Sequence, residues 1–414
     1  MFRGRDRFRG RPIIEPVTVL DTRPGDTRAP LLRRAAPALL GYAAVRALGL
    51  VVLAVWSAAR GKSAHHLLAA RWDSLWYTRV AELGYGYEVR LPNGDVHSNL
   101  AFFPLLPWLE RLLHALSPLS YADAGLTVSL LASLAAAAGI FAVAERVYGA
   151  RVGVCAVLLW AVLPVGIVQS MAYSESLFTA LAAWSLYALL AGRWVSAGLL
   201  ASLAGLTRPV GAAVVAAVWV TGVLSFVRDR RERASAGGGV TAGPTPRAPA
   251  RRRVLGMLLA PLGAAGYVLW VGHRTGRGPL GYLDVQAGWR NGFDGGYAFA
   301  RFVAATFTSF PSALAGVGLT VGVALLLWLY VVGVRQRQPI ALLVYTGVVL
   351  ALALCASSYF GSKPRLLLPA FPVLLPPARA LARSRIAKSA LVTVALAVAS
   401  AIYGAFWLNG SGPP

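Results

Sequence analysis

The sequence predicts an all-α, polytopic integral membrane protein with about eleven transmembrane helices. Of the 414 residues, 57% are hydrophobic and only 14% are charged, whereas soluble domains carry roughly a quarter charged residues. The mean hydropathy is +0.61. Apolar runs of about 18 or more residues recur along most of the chain, which is the pattern of membrane-spanning helices.

Each predicted span is an apolar run bounded by polar or turn-forming residues. The runs 195–207 and 209–227 meet at Thr207-Arg208-Pro209, which fits either a tight reversal or a kink in one long helix. We count two helices, because a single one would place the arginine-rich segment 228–253 on the outer side, against the positive-inside rule. The predicted spans are 35–58, 124–144, 152–170, 175–191, 195–207, 209–227, 254–271, 311–333, 339–357, 366–382 and 388–408.

The formal net charge of +24 is concentrated in short segments between the apolar runs, as in the cytoplasmic loops of membrane proteins. With the N-terminus inside, we expect residues 1–34 to form a disordered basic cytoplasmic tail and residues 228–253 a flexible basic cytoplasmic linker. Residues 35–408 form the predicted transmembrane domain, and residues 409–414 form a C-terminal tail. Nearly every carboxylate away from the basic segments then falls on the outer side.

The same pattern disfavours several classes of function. No nucleic-acid-binding motif accompanies the positive charge, so we expect no nucleic-acid partner. Cys155 and Cys355 both lie in apolar runs, which predicts buried thiols rather than a disulfide framework or metal cluster. No carboxylate lies in the middle of a predicted span, and an ion-coupled transporter usually needs one there. Scarce lysine with abundant alanine and glycine is typical of a GC-rich genome, so we expect a bacterial plasma-membrane protein.

The segment 60–122 is the predicted first outer loop, and it contains an amphipathic helix over 71–83 that lies at the membrane surface. Asp73 falls at the edge of the apolar stripe of this helix, and the opposite face, with Ser74 and Ala81, is expected to be solvated. A carboxylate at the water–lipid boundary could act as a base on a hydroxyl while a second substrate remains in lipid. The alternative is a helix cap with local salt bridges.

A second amphipathic helix follows in "SNLAFFPLLPWLERLLHAL", residues 98–116. Its aromatic residues, Phe103 among them, fit either an interfacial anchor or a substrate contact. His97 and Asn99 could be polar groups near a site, or purely structural. A later outer loop, residues 272–298, carries side chains that could shape a sugar pocket: Asp284, Trp289, Arg290, Asn291 and Asp294.

Charged residues also mark the outer ends of three other spans. Tyr173 and Glu175 stand at one helix start in "QSMAYSESLFTAL", where an unpaired carboxylate would be costly. Glu175 could form an ion pair with Arg208, or both could contact a sugar or a phosphate. Lys363 and Arg365 stand at another outer helix start, which suits an anion, although interfacial snorkelling is the alternative.

Four motifs occur in the order seen in PIG-V-type mannosyltransferases (GPI mannosyltransferase 2-like), which add the second mannose to GPI anchors. The motifs are "ARWDSLWYTRVAELGY", "SNLAFFPLLPWL", "MAYSESLF" and "GLTRPVG", and residues 35–227 therefore resemble that family. These enzymes belong to the GT-C class of membrane glycosyltransferases, and "KPRLLLPAFP" is similar to the late Arg–Pro element of that class. The resemblance implies a GT-C-type fold and an inverting, metal-independent transfer from a polyprenyl-phosphate sugar, with no cofactor.

The resemblance also implies roles for individual residues. Asp73 is the expected base, and the cations Arg71, Arg208, Lys363 and Arg365 are candidates to hold the phosphate, since a phosphate leaving group needs cations rather than a general acid. The other implied substrate contacts are Trp72, His97, Asn99, Phe103, Tyr173 and Glu175.

The identity of both substrates stays open at this point. Mannose is the favoured donor sugar, with arabinose or another hexose as alternatives. A bacterial protein makes no GPI anchor, so the acceptor could be a lipid, a glycan or a protein. The alternative function is a non-catalytic flippase or scaffold subunit in the assembly of envelope polysaccharide.

Overall fold

The computed structural model describes residues 30–235, 248–357, 359–410 and 412, and these are mostly helical. Two short antiparallel pairs of strands join the loops, β1 with β2 and β3 with β4. The strands are β1 Glu88–Arg90, β2 Val96–Ser98, β3 Gly292–Phe293 and β4 Ala356–Ser357. The helices are α1 Leu31–Ala59, α2 Ala64–Ala69, α3 Asp73–Leu83, α4 Leu105–Leu116, α5 Tyr121–Tyr148, α6 Ala150–Ala161, α7 Ser174–Leu190, α8 Trp194–Gly205, α9 Ala212–Ser235, α10 Ala250–Leu259, α11 Leu262–Thr275, α12 Gly281–Gly288, α13 Tyr297–Thr306, α14 Ser312–Arg335, α15 Ile340–Cys355, α16 Lys363–Leu366, α17 Leu375–Arg383 and α18 Ile386–Leu408.

The predicted all-α, multi-span membrane architecture is confirmed. Among the described residues, 6 helices are long and apolar enough to cross a membrane, or 7 if the pair Phe360–Leu366 and Phe371–Arg383, bent by 72°, is one span. The other predicted spans contain shorter apolar helices, α6, α7, α8 and α15. Every one of the predicted runs is thus helical, and a count of eleven is consistent with the structure.

The ambiguous sequence Thr207-Arg208-Pro209 is a break between two helices. Helix α8 ends at Gly205, the backbone of Arg208 is extended, and a short 3-10 turn at Pro209–Gly211 leads into α9. Proline cannot donate the backbone hydrogen bond that a continuous helix would need. Helices α8 and α9 pack against each other, so the chain reverses here.

The predicted cytoplasmic linker is partly helical. Helix α9 continues to Ser235 and α10 begins at Ala250, so both helices extend into the segment 228–253. Arg253 joins the two helix ends, because its guanidinium lies 2.5 Å from the carboxylate of Asp229. The middle of the linker, 236–247, lies outside the described residues, as do residues 1–29 of the predicted N-terminal tail and residues 411, 413 and 414 of the predicted C-terminal tail.

Helix α1 begins inside the predicted tail and carries a buried cation halfway along its length. At its start, Arg34 pairs with Glu145 at 2.8 Å. Arg46 is buried and donates to the carbonyls of Ala161 and Gly166. These carbonyls become free where α6 ends, and in lipid such groups need an internal partner. Arg46 therefore stabilises a broken helix inside the bundle.

Helix α3 buries a different face from the predicted one. Ser74 and Ala81, expected to face solvent, are each 1% exposed, whereas Leu75 and Leu83 are 44% and 72% exposed. The small residues pack because α3 lies against both α4 and α5. The prediction of a solvated Ser74 face was wrong. The exposed leucines leave the apolar side free to contact lipid.

Candidate active site

Residues of α3, α9, α12, α15 and α16 line a cavity of about 540 Å³, which is a typical size for a ligand pocket. Asp73, Arg208 and Arg365 line it. The cavity lies at the start of α9, whereas the arginine-rich segment that ends at Ser235 lies at the other end of this helix. At 1.5 Å per residue the two are roughly 36 Å apart, so the cavity and the basic segment lie at opposite ends of the bundle.

Four charged side chains of alternating sign form what we call the charge chain: Asp73, Arg365, Glu175 and Arg208. Arg365 Nη1 lies 2.6 Å from Asp73 Oδ2 and 3.6 Å from Glu175 Oε1. Arg208 Nη1 lies 2.5 Å from Glu175 Oε1. Glu175 is only 2% exposed, and a charge so deeply buried is tolerated only when it is paired. The two cations satisfy that need and remain at the cavity wall.

The predicted Glu175–Arg208 ion pair is therefore present, and it belongs to a larger set. The sequence was compatible with two roles for Glu175 and Arg208, a structural ion pair or a contact with substrate. The geometry combines the two, because Arg208 lines the cavity while it holds Glu175. Each partner comes from a distant part of the chain, so the pairing could not be read from local spacing.

Two hydroxyl groups extend the charge chain. Tyr77 lies one helical turn after Asp73, and its hydroxyl is 2.7 Å from Ser174 Oγ. Arg208 Nη1 donates to the same Oγ atom at 3.2 Å. Burial raises the pKa of the Tyr77 phenol, so this group stays neutral and acts only as a hydrogen-bond donor or acceptor. The sequence signal for Tyr77 was its i+4 spacing from Asp73, which places both on one helix face.

The backbone before Asp73 takes an uncommon conformation that sets the start of α3. Trp72 has φ 55° and ψ −122°, a left-handed value that is costly for a bulky residue. Ser74 Oγ accepts from the amide of Arg71 at 2.9 Å and donates to its carbonyl at 2.6 Å, which closes the turn. Asp73 consequently begins the helix, where the helix dipole favours a negative charge.

Arg71 and Trp72 face a different part of the molecule. The Arg71 guanidinium donates to the carbonyls of Leu408 and Gly410, each at 3.2 Å, beyond the end of α18. It also lies 3.9 Å from the centre of the Trp72 ring. These contacts join the predicted first outer loop to the last helix, and Arg71 does not line the cavity, so its contact with a phosphate stays a prediction.

Lys363 holds a helix end rather than facing the cavity. Its Nζ atom donates to the carbonyls of Ala353 and Ala356 at 2.8 and 2.7 Å, at the point where α15 ends and leaves carbonyls without helical partners. The rings of Phe299 and Phe360 lie 5.0 and 5.5 Å away. Of these two residues only Arg365 lines the cavity, and anion binding by either one stays a prediction.

The aromatic residues predicted to contact substrate lie around the charge chain. Phe103 lines the cavity. Tyr173 is fully buried, with the Arg365 guanidinium 5.1 Å from its ring centre, so it packs against that arginine. Both residues lie within conspicuous motifs, Phe103 in "SNLAFFPLLPWL" and Tyr173 in "MAYSESLF", so the sequence alone was enough to select them.

The two polar candidates His97, on strand β2, and Asn99, just after it, are not part of the cavity lining. Asn99 is fully buried and ties a tight turn, because its amide donates to the carbonyl of Gly84 and accepts from the amide of Gly86, both at 3.0 Å. His97 stacks on the ring of Trp289, with the ring centres 4.0 Å apart. Burial lowers the pKa of His97, so the ring is neutral at pH 7. Asn99 holds this turn together and His97 packs on a residue of the cavity lining, and substrate binding by either one stays a prediction.

The second wall of the cavity comes from the outer loop 272–298, and we call Tyr282, Gln286, Trp289 and Asn291 the amide wall. All four line the cavity. Asn291 Nδ2 donates to Gln286 Oε1 at 2.9 Å, and Gln286 Nε2 lies 2.5 Å from the Tyr282 hydroxyl. The i+4 spacing of Tyr282 and Gln286 on α12 was the overlooked sequence signal.

The charged residues of this loop make contacts away from the cavity lining instead. Asp284 lies 3.9 Å from Arg277, and Arg290 lies 2.6 Å from Asp95. Asp294 accepts from two backbone amides at the start of α13. Only Trp289 and Asn291 of the five side chains predicted to shape a pocket therefore line the cavity.

Within the part of the chain that the structure describes, no three His, Cys, Asp or Glu side chains form a group that could hold a metal ion. The two carboxylates of the charge chain share one guanidinium, that of Arg365. The arrangement can take up a proton at Asp73 and hold an anion between Arg208 and Arg365.

Comparison with known proteins places this geometry in a wider context. Residues 99–236 match the family model described as dolichyl-phosphate-mannose-protein mannosyltransferase, which is less than half of the chain and includes Glu175 and Arg208. No curated protein matches the chain. The identification of the PIG-V type specifically stays a prediction.

Solved structures show the fold. The structure of ArnT from Cupriavidus metallidurans bound to undecaprenyl phosphate is similar, with a TM-score of 0.50 and 16% sequence identity over 85% of this chain and 62% of that one. An oligosaccharyltransferase from Archaeoglobus fulgidus has a TM-score of 0.46 and 14% identity over 89% of this chain and 53% of that one. The chain thus spans about 62% of the length of ArnT. Its fold is of the GT-C type, as predicted.

Proposed function

We propose that the protein is an inverting glycosyltransferase that moves a sugar from a polyprenyl-phosphate donor to an acceptor hydroxyl. The observation that carries this proposal is one carboxylate, Asp73, beside two guanidiniums in a single cavity. The match to a mannosyltransferase family model and the fold shared with ArnT, whose structure holds undecaprenyl phosphate, support it.

The reaction exchanges one bond at the sugar. The acceptor oxygen forms a bond to the anomeric carbon from the side opposite the phosphate, and the bond between this carbon and the phosphate oxygen breaks. The electron pair of the broken bond leaves with the phosphate, and the acceptor proton passes to Asp73 and then to solvent. Asp73 is placed for this role because it lines the cavity and its side chain is 25% exposed.

The two arginines balance the charge that develops. The donor phosphate is a diester with one negative charge, and the released polyprenyl phosphate approaches two. Cations fixed in advance beside the leaving group stabilise the transition state more than the ground state. Arg208 and Arg365 are both paired with Glu175 and line the same cavity, so both cations are already beside the proposed position of the leaving group.

The cavity is proposed to face outward from a bacterial plasma membrane. The arginine-rich end of α9 lies at the opposite end of the bundle, and basic segments stay in the cytoplasm. A lipid-linked donor would reach the cavity from the membrane, since the adjacent α3 exposes leucines to lipid. Mannose is the proposed donor sugar, and the acceptor is a lipid, a glycan or a protein.

The test is transfer from radiolabelled polyprenyl-phosphate mannose in membranes that contain the protein. We expect Asp73→Asn to lower transfer by about 10²- to 10⁴-fold, because the base is lost while the shape is kept. Asp284→Asn is the matched control, because Asp284 is an outer-loop carboxylate that makes only a long contact to Arg277, and it should keep full transfer.

The alternative function, a flippase or scaffold subunit, predicts a different result. It expects no label transfer by the wild type and no special role for Asp73 in the assembly of envelope polysaccharide. Full transfer activity in the Asp73→Asn variant would overturn the assignment of Asp73 as the base.

A further inference from the structure

The charge chain links the base to the cation that would hold the donor, and the inference drawn from this link rests on the proposed function. Asp73 Oδ2 and Arg365 Nη1 are 2.6 Å apart. A guanidinium at this distance forms an ion pair with the carboxylate and occupies one of its oxygens. The base and the cation therefore neutralise each other in the protein without substrate.

Arg365 has alternative negative partners within reach. The same Nη1 atom lies 3.6 Å from Glu175 Oε1, and the guanidinium forms part of the cavity wall beside Arg208. Glu175 is also held by Arg208 at 2.5 Å. The Arg365 side chain can therefore turn away from Asp73 and keep the second carboxylate, so that neither Arg365 nor Glu175 is left as an unpaired buried charge.

We propose that the phosphate of the donor takes Arg365 from Asp73, so that the base is released only when the donor is bound. A guanidinium binds phosphate oxygens in a bidentate manner. A phosphate in this cavity also repels the Asp73 carboxylate, because both are negative. One ion pair breaks and another forms without any covalent change, and Asp73 then accepts the acceptor proton.

This exchange has a thermodynamic consequence that a simple base does not have. When two anions compete for one cation, removal of the first strengthens the binding of the second, and the coupling is reciprocal. The Asp73→Asn variant should therefore bind a lipid phosphate more tightly than the wild type, although it transfers sugar far more slowly.

Binding of undecaprenyl phosphate to the purified full-length protein in phosphatidylcholine nanodiscs tests the exchange. We expect Asp73→Asn to bind this lipid about tenfold more tightly than the wild type, within the usual range of coupling between sites. Asp284→Asn should leave the affinity unchanged. A wild-type affinity in Asp73→Asn, or a weaker one, would contradict the exchange.

A double-mutant cycle separates the exchange from simple charge repulsion. In an Arg365→Gln background the gain from Asp73→Asn should shrink to less than about twofold, because the shared cation is missing. If the gain persists in that background, repulsion alone explains it and the exchange is wrong.

A structure of the wild type with undecaprenyl phosphate provides a second test that does not depend on the folding of the Arg365→Gln variant. The exchange predicts a phosphate oxygen about 3 Å from Arg365 and an opened Asp73–Arg365 pair. An intact pair beside a bound phosphate would contradict it. Absence of binding by every variant contradicts the proposed function and the exchange together, whereas binding without a gain contradicts the exchange alone.

Discussion

The cavity has two walls of different construction. The charge chain is assembled from four segments that are distant in sequence, and its inner members, Glu175 and Arg365, are nearly inaccessible to solvent. The amide wall comes from one short stretch, 282–291, and its polar side chains are uncharged, with Gln286 and Asn291 half-buried and Tyr282 buried. The first wall therefore requires the whole fold, whereas the second is a local feature of one outer loop.

The two walls should therefore differ in how well they tolerate substitution and in what they contribute to the reaction. Loss of one member of a buried ion pair leaves an uncompensated charge, which costs about 3–5 kcal/mol, so the charge chain tolerates little change. Loss of a half-buried amide costs only about 0.5–1.5 kcal/mol. We therefore expect the charge chain to carry the reaction, and the amide wall to influence which acceptor is used.

The largest effect is expected for Arg365→Gln in the charge chain. This change removes the partner of Asp73 and one cation at the leaving group, so transfer should fall by about 10³-fold. The protein should also lose about 3–5 kcal/mol of stability, which thermal unfolding in detergent would detect. Arg277→Gln, at an exposed arginine of the outer loop, is the control. An Arg365→Gln variant with near-normal transfer would remove the distinction between the walls.

The next effect is expected for Tyr77→Phe, which keeps the ring and removes the hydrogen bond to Ser174. Ser174 also accepts from Arg208, so the arginine should become less well oriented. The loss of one neutral hydrogen bond corresponds to about 1 kcal/mol, or roughly fivefold in the rate of transfer. A drop as large as that of Arg365→Gln would indicate that the Tyr77 hydroxyl takes part in proton transfer itself.

A smaller and more selective effect is expected for Gln286→Ala in the amide wall. The variant frees Asn291 and Tyr282 from their shared partner. We expect the KM for the acceptor to rise about threefold, with the affinity for undecaprenyl phosphate unchanged. An equal loss of affinity for both substrates would show that the amide wall does not act on the acceptor alone.

The smallest effect on donor binding is expected for Lys363→Met, although its position is only two residues from Arg365. Lys363 donates to backbone carbonyls at the end of α15, so the variant should lose about 2 kcal/mol of stability. The affinity for undecaprenyl phosphate should stay within about threefold of the wild type. A loss of affinity like that of Arg365→Gln would restore Lys363 as a phosphate ligand.

Much of the fold could be predicted from the sequence, because apolar runs report membrane spans directly. Every predicted run is helical, and the break at Arg208 follows from Pro209. Helix α6 ends at Ala161, shortly before Pro164, which cannot continue a helix. The partner of the freed carbonyls, Arg46 of another helix, could not be predicted, because it is visible only in three dimensions.

The candidate site was predictable in part for the same reason. Asp73, Glu175, Arg208 and Arg365 were selected because charged groups are rare and costly in such a chain. Residue type alone could not distinguish Arg365, which lines the cavity, from Lys363, which donates to carbonyls at the end of α15. The buried face of α3 was also predicted wrongly. A small residue such as Ala81 suits either solvent or a neighbouring helix, so its type does not show which face is buried.

The most direct measurement is the single-turnover release of polyprenyl phosphate from radiolabelled donor by the purified protein. If Asp73 is the base, we expect the wild type to release polyprenyl phosphate in the presence of an acceptor-containing lipid extract. We expect a rate at least about 10²-fold lower for Asp73→Asn, which should still bind the donor. Equal release by both proteins would contradict the claim that Asp73 is the base of a sugar transfer in this cavity.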